Sequence, residues 1–390
     1  MKFPVPLLLA LALAGQAAPA PAATPHHAAK ARLASSKAGK AGKGKAASKA
    51  AKAAKAEQAK PARPPIDYEG EDIHFGEWQA VREFEDDMVA RHGYPREELD
   101  AIVARTRFLD SAVELVKPAP PGKPKNWHAY SERFIEPIRI GAGVRFWNEN
   151  ADLLARAQAT YGVPAEIIVG VLGVETIYGR DTGRFRVMDV LATLAFAYPE
   201  APNQAERKAF FRSELENTLV LAHQDNIDPF SLQGSFAGAV GMPQFMPGNV
   251  LKYGVDFDGD GVVDLRNSPA DAIGSVANFL VQHGWDRNAT GPAVFPAEVA
   301  PSLAWEPLLG GLDARYRPAE LLGAGVAPHS ALPEDRLYGL IDLQNGADPT
   351  EYWVANANFF AITKYNRSYF YAMSVIELGR AVRLTRDGGA

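Results

Sequence analysis

The chain has 390 residues, of which 47% are hydrophobic and 22% charged, a composition that excludes a wholly disordered or fibrous protein. The formal net charge of -5 is unevenly distributed: residues 30–63 hold 11 basic residues and one acidic residue, and residues 65–390 hold 29 basic and 45 acidic residues. Such an acidic body argues against broad nucleic-acid binding, which needs basic surface. The absence of cysteine excludes disulfides, zinc–cysteine sites and thiol catalysis.

The first 22 residues have the pattern of an export signal. Lys2 precedes an apolar run, PLLLALALAG, which is followed by small residues. About ten apolar residues are too few to span a bilayer, which takes about 20. We therefore predict a signal peptide over residues 1–22, a periplasmic protein of the Gram-negative type and no stable membrane insertion. An uncleaved N-terminal anchor is the alternative.

Residues 23–64 consist mainly of Ala, Lys and Gly, and Leu33 is their only bulky apolar residue. A segment of this composition cannot bury enough apolar surface to offset the entropy of ordering, so it is predicted to be a disordered linker. Its lysines would suit an anionic polymer of the cell envelope, and a plain solvated spacer fits equally well.

From about Phe75 the apolar residues follow a helical period, as at Val81, Phe84 and Met88. Residues 286–352 differ, because scattered Pro and Gly separate short apolar runs there, and they are predicted to form a small β-rich insertion. Elsewhere the period predicts helices over about 164–179, 187–197, 204–223, 247–253, 270–284 and 369–384.

Glu175 lies on an apolar helical face, with apolar residues three, four and seven positions before it. Burial disfavours an ionised carboxylate, so the pKa of Glu175 should rise and the group can hold a proton near neutral pH. A general acid for glycoside cleavage needs this property, as in lysozyme. The alternative is a structural carboxylate paired with Arg180 or Arg186.

The segment 234–250, GSFAGAVGMPQFMPGNV, combines glycines and prolines with polar Ser235 and Gln244. A tight, irregular backbone of this kind can present amides and small polar groups to a ligand. Close helix packing in a core explains the same glycines.

The segment 358–379, NFFAITKYNRSYFYAMSVIELG, places tyrosines beside an amide, including Tyr365, Asn366 and Tyr371. Aromatic faces with hydroxyl edges suit stacking on sugars. Ordinary core packing is the alternative interpretation.

The acidic loop DFDGDGVVDLRNSPAD has calcium-loop spacing. Asp256, Asp258 and Asp260 occupy positions 1, 3 and 5, and Val262 supplies the backbone carbonyl of position 7. Position 12 is Asn instead of Glu, so Asp271, four residues later, is the candidate for the bidentate carboxylate of a longer loop. A solvated turn is the alternative.

Common cofactor motifs are missing from the sequence. It contains no GxSxG, no GxxxxGK[ST] and no GxGxxG after a strand, and its eight histidines show no zinc-binding spacing. We expect no organic cofactor.

Four blocks, taken in order, resemble the lytic murein transglycosylase B family: GVLGVETIYG, GSFAGAVGMPQFMP, the DFDGDG loop with DAIGSVANFLVQHGW, and FFAITKYNRSYFYAMSVIELG. The likeness covers about residues 75–385. It implies a mainly α (α+β) fold, in which a lysozyme-like helical core carries an added helical domain and a small β-rich domain. It also implies cleavage of the β-1,4 bond between N-acetylmuramic acid and N-acetylglucosamine in peptidoglycan, with 1,6-anhydromuramyl products.

The resemblance assigns roles to the residues singled out above. Glu175 matches the family's single catalytic acid/base. The residues that match its substrate groove are Ser235, Gln244, Tyr365, Asn366 and Tyr371. Those that match its structural calcium site are Asp256, Asp258, Asp260, Val262 and Asp271.

These predictions together define the expected organisation of the chain. A monomer acting on peptidoglycan glycan strands is predicted, and the alternatives are a hydrolytic muramidase or a non-catalytic peptidoglycan-binding scaffold. The expected segments are a signal peptide (1–22), a linker (23–64), an N-terminal helical domain (65–160), a lysozyme-like catalytic core with an EF-hand-like loop (161–285), a β-rich insertion (286–352) and a C-terminal helical part of the core (353–390).

Overall fold

The structure is a computed structural model, and it describes residues 74–117 and 124–388. The predicted signal peptide and linker lie outside the described residues.

Helices make up most of the described chain, which confirms the predicted mainly α class. They are α1 (Gln79–His92), α2 (Arg96–Arg105), α3 (Asp110–Val116), α4 (Trp127–Ser131), α5 (Pro137–Glu149), α6 (Ala151–Tyr161), α7 (Ala165–Thr176), α8 (Val187–Ala197), α9 (Gln204–Gln224), α10 (Pro247–Tyr253), α11 (Pro269–Gln282), α12 (Pro318–Gly323), α13 (Ala357–Thr363) and α14 (Tyr369–Gly388). The strands are β1 (Phe185–Arg186), β2 (Gln233–Gly234), β3 (Val294–Val299), β4 (Val326–Pro328), β5 (Tyr338–Asn345) and β6 (Asp348–Asn356).

Helix α7 lies at the centre of the core, and eleven of its twelve residues are buried. It crosses α14 closely at glycines. A methyl group on Gly170 would overlap the carbonyl oxygen of Val375, and one on Gly379 would overlap that of Glu166. Because neither glycine has a side chain, the two backbones approach each other closely, and the first turn of α14 lies near the last turn of α7.

The small sheet is antiparallel, with strand order β4-β3-β6-β5. Strands β5 and β6 form a hairpin whose turn contains Gly346 at φ 68°, a conformation that favours glycine. The last strand runs to Asn356, four residues beyond the end predicted for the β-rich segment. One face of the sheet contributes Ile341, Leu343 and Ala355 to the main core. The other face forms a second apolar cluster, which includes Trp305 and Tyr338.

The main core is continuous from Phe75 in the first described turn to Val382 in α14. Within the described ranges, no single helix is long and apolar enough to cross a membrane. One bent pair, α6 with α7, meets the length and composition criteria for a broken span.

Candidate active site

Glu175 lies in the last turn of α7, where the helix is forced to stop. The sequence predicted a helix as far as Gly179, but α7 ends at Thr176 because Ile177 (φ 52°) and Tyr178 (φ 57°) are left-handed. That conformation is unusual for a β-branched or bulky residue and costs of order 1–3 kcal/mol each. Of the three left-handed residues 177–179, only Gly179 (φ 85°) adopts this conformation without strain.

Thr176 holds this strained turn against the glycine-rich segment. Its Oγ1 accepts a hydrogen bond from the backbone N–H of Gly179 (2.9 Å) and donates one to the carbonyl oxygen of Met242 (2.8 Å). The residue after Glu175 is therefore tied directly to the loop that carries Gln244.

The carboxyl group of Glu175 is buried, and the residue is 8% exposed. The hydroxyl of Tyr371, in the first turn of α14, donates a 2.6 Å hydrogen bond to Oε1. Oε2 accepts no hydrogen bond from any described residue. Burial raises the pKa of Glu175 from its ordinary 4.5 to about 8, although the bond from Tyr371 acts in the opposite direction. At neutral pH the group is protonated.

The C-terminal tyrosines meet beside this acid. The rings of Tyr365 and Tyr371 are stacked, with centroids 6.1 Å apart and planes 18° apart. The hydroxyl of Tyr365 donates to the carbonyl oxygen of Pro243, so this block also contacts the glycine-rich segment. Asn366 presents a buried carbonyl oxygen, Oδ1, without a hydrogen-bond partner in the described chain.

Ser235 and Gln244 shape the glycine-rich loop from within. The Oγ of Ser235 accepts hydrogen bonds from the backbone N–H groups of Ala237 (3.3 Å) and Ala239 (3.0 Å). Gln244 is left-handed (φ 53°), and its Nε2 donates to the carbonyl oxygens of Thr182 (3.2 Å) and Gly241 (3.0 Å). Both side chains are half-buried, and each keeps hydrogen-bonding capacity for a ligand.

Tyr130, in α4, is a neighbour of Glu175 that the sequence analysis missed. Burial raises its pKa to about 12, and the nearby negative charge of ionised Glu175 contributes to this shift. Its ring packs against Phe370 at a centroid distance of 5.4 Å. The only signal in the sequence was an aromatic pair, Trp127 and Tyr130, in a short helix far along the chain from Glu175.

The acidic loop brings three of its predicted ligands together. One carboxylate oxygen from each of Asp256, Asp258 and Asp260 lies within 4.8 Å of the others. The loop can close on itself because Gly259 (φ 81°) and Gly261 (φ 94°) are left-handed. The N–H groups of both glycines donate to Asp256, at 2.7 Å and 2.8 Å.

Asp271 and Val262 are the other two predicted ligands, and their surroundings differ. Asp271 is 1% exposed, and its two oxygens accept 2.8 Å bonds from the N–H groups of Phe257 and Asp264, so it braces both ends of the loop. Each of those oxygens retains a second lone pair. Val262 is exposed, as expected for a residue that would offer only its carbonyl oxygen. Carboxylate and carbonyl oxygens form a donor set that suits Ca²⁺.

A helical core, a fully desolvated carboxylic acid and neighbouring tyrosine rings together indicate the class of helical enzymes that cleave glycans. Comparison with known proteins is more specific. The chain belongs to the transglycosylase SLT domain family, whose model matches residues 76–380.

Relatives of this chain include membrane-bound lytic murein transglycosylase B of Escherichia coli K12, which is 42% identical over 315 residues (78% of this chain and 83% of the relative). The crystal structure of the soluble lytic transglycosylase SltB1 from Pseudomonas aeruginosa is 42% identical, with a TM-score of 0.71 over 80% of this chain and 100% of that chain. The Escherichia coli lytic transglycosylase Slt35, solved in complex with calcium, is 40% identical, with a TM-score of 0.71 over 80% of this chain and 95% of that chain. These matches confirm the predicted family, the lysozyme-like helical fold and the enzyme class.

Proposed function

We propose that this protein is a lytic transglycosylase that cleaves the β-1,4 bond between N-acetylmuramic acid and N-acetylglucosamine in peptidoglycan. Glu175 is its single general acid/base, and the products end in 1,6-anhydromuramic acid. The observation that carries the proposal is the buried Glu175 carboxyl group, held by Tyr371 and with a pKa of about 8. The membership of a transglycosylase family supports it.

The first step needs a proton at neutral pH. Tyr371 occupies Oε1, so Oε2 is the oxygen free to carry the proton to the glycosidic oxygen. As that oxygen accepts the proton, its bond to C1 of the muramic ring breaks, and N-acetylglucosamine leaves with a new hydroxyl group. The Glu175 carboxylate formed in this step accepts the hydrogen bond from Tyr371.

In the second step one carboxylate is sufficient. Oε2 takes the proton from the 6-hydroxyl of the same muramic ring while the 6-oxygen bonds to C1. The nucleophile is already attached to its target, and this proximity replaces the second carboxylate of ordinary glycosidases. No water is consumed, and Glu175 ends protonated again.

The neighbouring polar residues are suited to hold the glycan strand. The half-buried rings of Tyr365 and Tyr130 lie near Glu175, and the fully buried ring of Tyr371 stacks behind that of Tyr365. The unpartnered Oδ1 of Asn366 can accept a hydrogen bond from a sugar hydroxyl or acetamido N–H. We assign these residues, together with Ser235 and Gln244 of the glycine-rich loop, to the substrate groove.

We also assign a calcium site to the acidic loop, with Asp256, Asp258, Asp260, the Val262 carbonyl and Asp271 as its ligands. Three carboxylates that converge within 4.8 Å repel one another unless a cation lies between them. The calcium complex of the related Slt35 gives independent support. The role proposed for the ion is structural.

The calcium loop has a short route to the acid. The carbonyl oxygen of Leu265 accepts a 2.7 Å hydrogen bond from the N–H of Met242, whose own carbonyl oxygen accepts from Thr176. A disordered loop would therefore release Met242, and with it the turn that follows Glu175.

We further propose that the protein acts as a monomer in the periplasm and that its chain is divided into the segments predicted from the sequence. The export-signal pattern of residues 1–22 supports the location. The predicted location can be tested by fusing these residues to a reporter that is active only after export. A fusion that stays in the cytoplasm would refute the export signal.

The experiment that tests the catalytic role compares Glu175→Gln with Glu166→Gln on purified sacculi. Glu166 is on the same helix but is partly exposed and pairs with Arg383, so it is a matched control for an isosteric change. The Glu175 variant should fold, bind sacculi and release no anhydromuropeptides, whereas the Glu166 variant should release them. Normal product yield from the Glu175 variant would overturn the assignment, and wild-type protein that binds without cleaving would establish the scaffold alternative.

A further inference from the structure

A pocket opens beside the second apolar cluster of the sheet, away from Glu175. Its aromatic wall is formed by Trp305 and Tyr352, whose rings meet edge to face with centroids 5.0 Å apart. Glu306, Asp342 and Lys125 are among the other side chains that line it. We call this cavity the sheet pocket.

Two carboxylates lie at the Tyr352 side of the sheet pocket. Asp342 is the cross-strand partner of Tyr352, so the two side chains share one face of the sheet. Asp342 and Glu306 line the pocket together with Tyr352, and their negative charges add to the burial that raises the pKa of the Tyr352 hydroxyl. Neither acid forms an ion pair with a described residue, and nor does Lys125 at the rim.

This combination fits a particular kind of ligand. Carboxylates beside aromatic faces attract an ammonium group, through charge and through the cation–π interaction. A lysine at the same pocket attracts a carboxylate. An unblocked amino-acid head group carries an ammonium and a carboxylate on one carbon, and it would meet both kinds of charge at once.

Peptidoglycan stems that contain diaminopimelic acid present such a head group whenever that residue is not cross-linked. We propose that the sheet pocket binds the free amino-acid end of the diamino residue in the peptide stem of the glycan being cleaved. Asp342 and Glu306 receive the ammonium, Lys125 receives the carboxylate, and Tyr352 lies against the carbon chain.

The distance from the cleavage site is compatible with this occupant. Lys125 and Tyr130, which neighbours Glu175, are five residues apart, so their Cα atoms are separated by at most about 18 Å. At the other side, the charge of Asp342 contributes to the raised pKa of Tyr369, two residues before Tyr371. Three extended stem residues span about 10 Å before the diamino side chain is added.

The inference rests on the proposed cleavage at Glu175 and adds recognition of the peptide to it. The test measures the rate of release of anhydromuramyl ends from two substrates at subsaturating concentration. One is native sacculi with diaminopimelate stems, and the other is the same sacculi with their free amino groups acetylated. Because each variant is compared with itself on two substrates, a lost preference is distinguishable from lost cleavage.

We expect the wild-type enzyme to cleave native sacculi about fivefold to tenfold faster than acetylated sacculi, the effect of one partly exposed charged contact. In the double variant Asp342→Asn/Glu306→Gln the ratio should fall to about one. Glu298→Gln, an 83% exposed change on β3 outside the pocket, should keep the wild-type ratio. A ratio of one in wild type, or an unchanged ratio in the double variant, would overturn the proposal.

Lys125→Met supplies an independent arm, because Lys125 is exposed and its replacement leaves the core intact. Wild type should prefer diaminopimelate stems to lysine stems, which offer the ammonium without the carboxylate, and this variant should lose that preference. If Lys125→Met retains the preference in full, the assignment of the carboxylate partner is wrong.

Discussion

Replacing Glu175 by Gln should stabilise the protein strongly in alkali and only slightly in mild acid. In the folded state Glu175 holds its proton up to a pKa of about 8, whereas the unfolded chain releases it near 4.5. The folded state binds the extra proton across this interval, so wild-type stability falls as pH rises through it. A neutral glutamine of the same shape has no such loss.

The magnitude follows from the same two pKa values. Each pH unit over which the extra proton is held corresponds to about 1.4 kcal/mol. Relative to wild type, the Gln variant should gain about 1 kcal/mol at about pH 5 and about 5 kcal/mol at about pH 9. A constant offset from the altered hydrogen bond to Tyr371 cancels when the two pH values are compared.

Urea unfolding of the wild type and the variant at both pH values measures these free energies. Glu166→Gln is the control, because it makes the same isosteric change at a partly exposed side chain of the same helix. A stability difference for Glu175→Gln that is the same at both pH values would refute a desolvated, protonated Glu175.

Three further predictions concern the surroundings of the acid. Tyr371→Phe removes the 2.6 Å hydrogen bond that favours ionised Glu175, so the pKa of Glu175 should rise. The alkaline limb of the kcat/KM profile should therefore move to higher pH, and kcat should fall about tenfold. An alkaline limb that does not move would contradict this. Calcium should raise the melting temperature of the wild type by several degrees. Neither the Asp258→Asn variant nor wild type with a chelator should show this rise. An equal rise in the variant would show that Asp258 is not a ligand of the site. Thr176→Val loses the hydrogen bonds with Gly179 and Met242, so the free energy of unfolding measured in urea should fall by about 2 kcal/mol, and kcat should fall as well. An unchanged free energy of unfolding would show that this hydroxyl does not hold the turn.

Local patterns in the sequence predicted the features that depend on neighbouring residues. The helix at 187–197 has the predicted bounds, because its apolar period is uninterrupted. The convergence of Asp256, Asp258 and Asp260 was likewise predicted from spacing alone, since alternate residues of one tight loop need no distant partner.

Features that depend on distant residues could not be predicted from local patterns. Tyr371 reaches Glu175 from 196 positions away, and only the family resemblance suggested that they belong to one site. The end of α7 at Thr176 depends on the hydrogen bonds of the Thr176 side chain with Gly179 and Met242, which compensate for two left-handed residues that no propensity predicts. Tyr130 was missed for the same reason: its proximity to Glu175 arises from the packing of α4 against α14.

The most direct test of the central claim is digestion of sacculi in ¹⁸O-labelled water, followed by mass spectrometry of the released muropeptides. If the muramic 6-hydroxyl attacks its own C1, every new muramyl end will be one water lighter than a reducing end and will carry no heavy oxygen. Reducing ends labelled with ¹⁸O would contradict intramolecular attack and identify the protein as a hydrolytic muramidase.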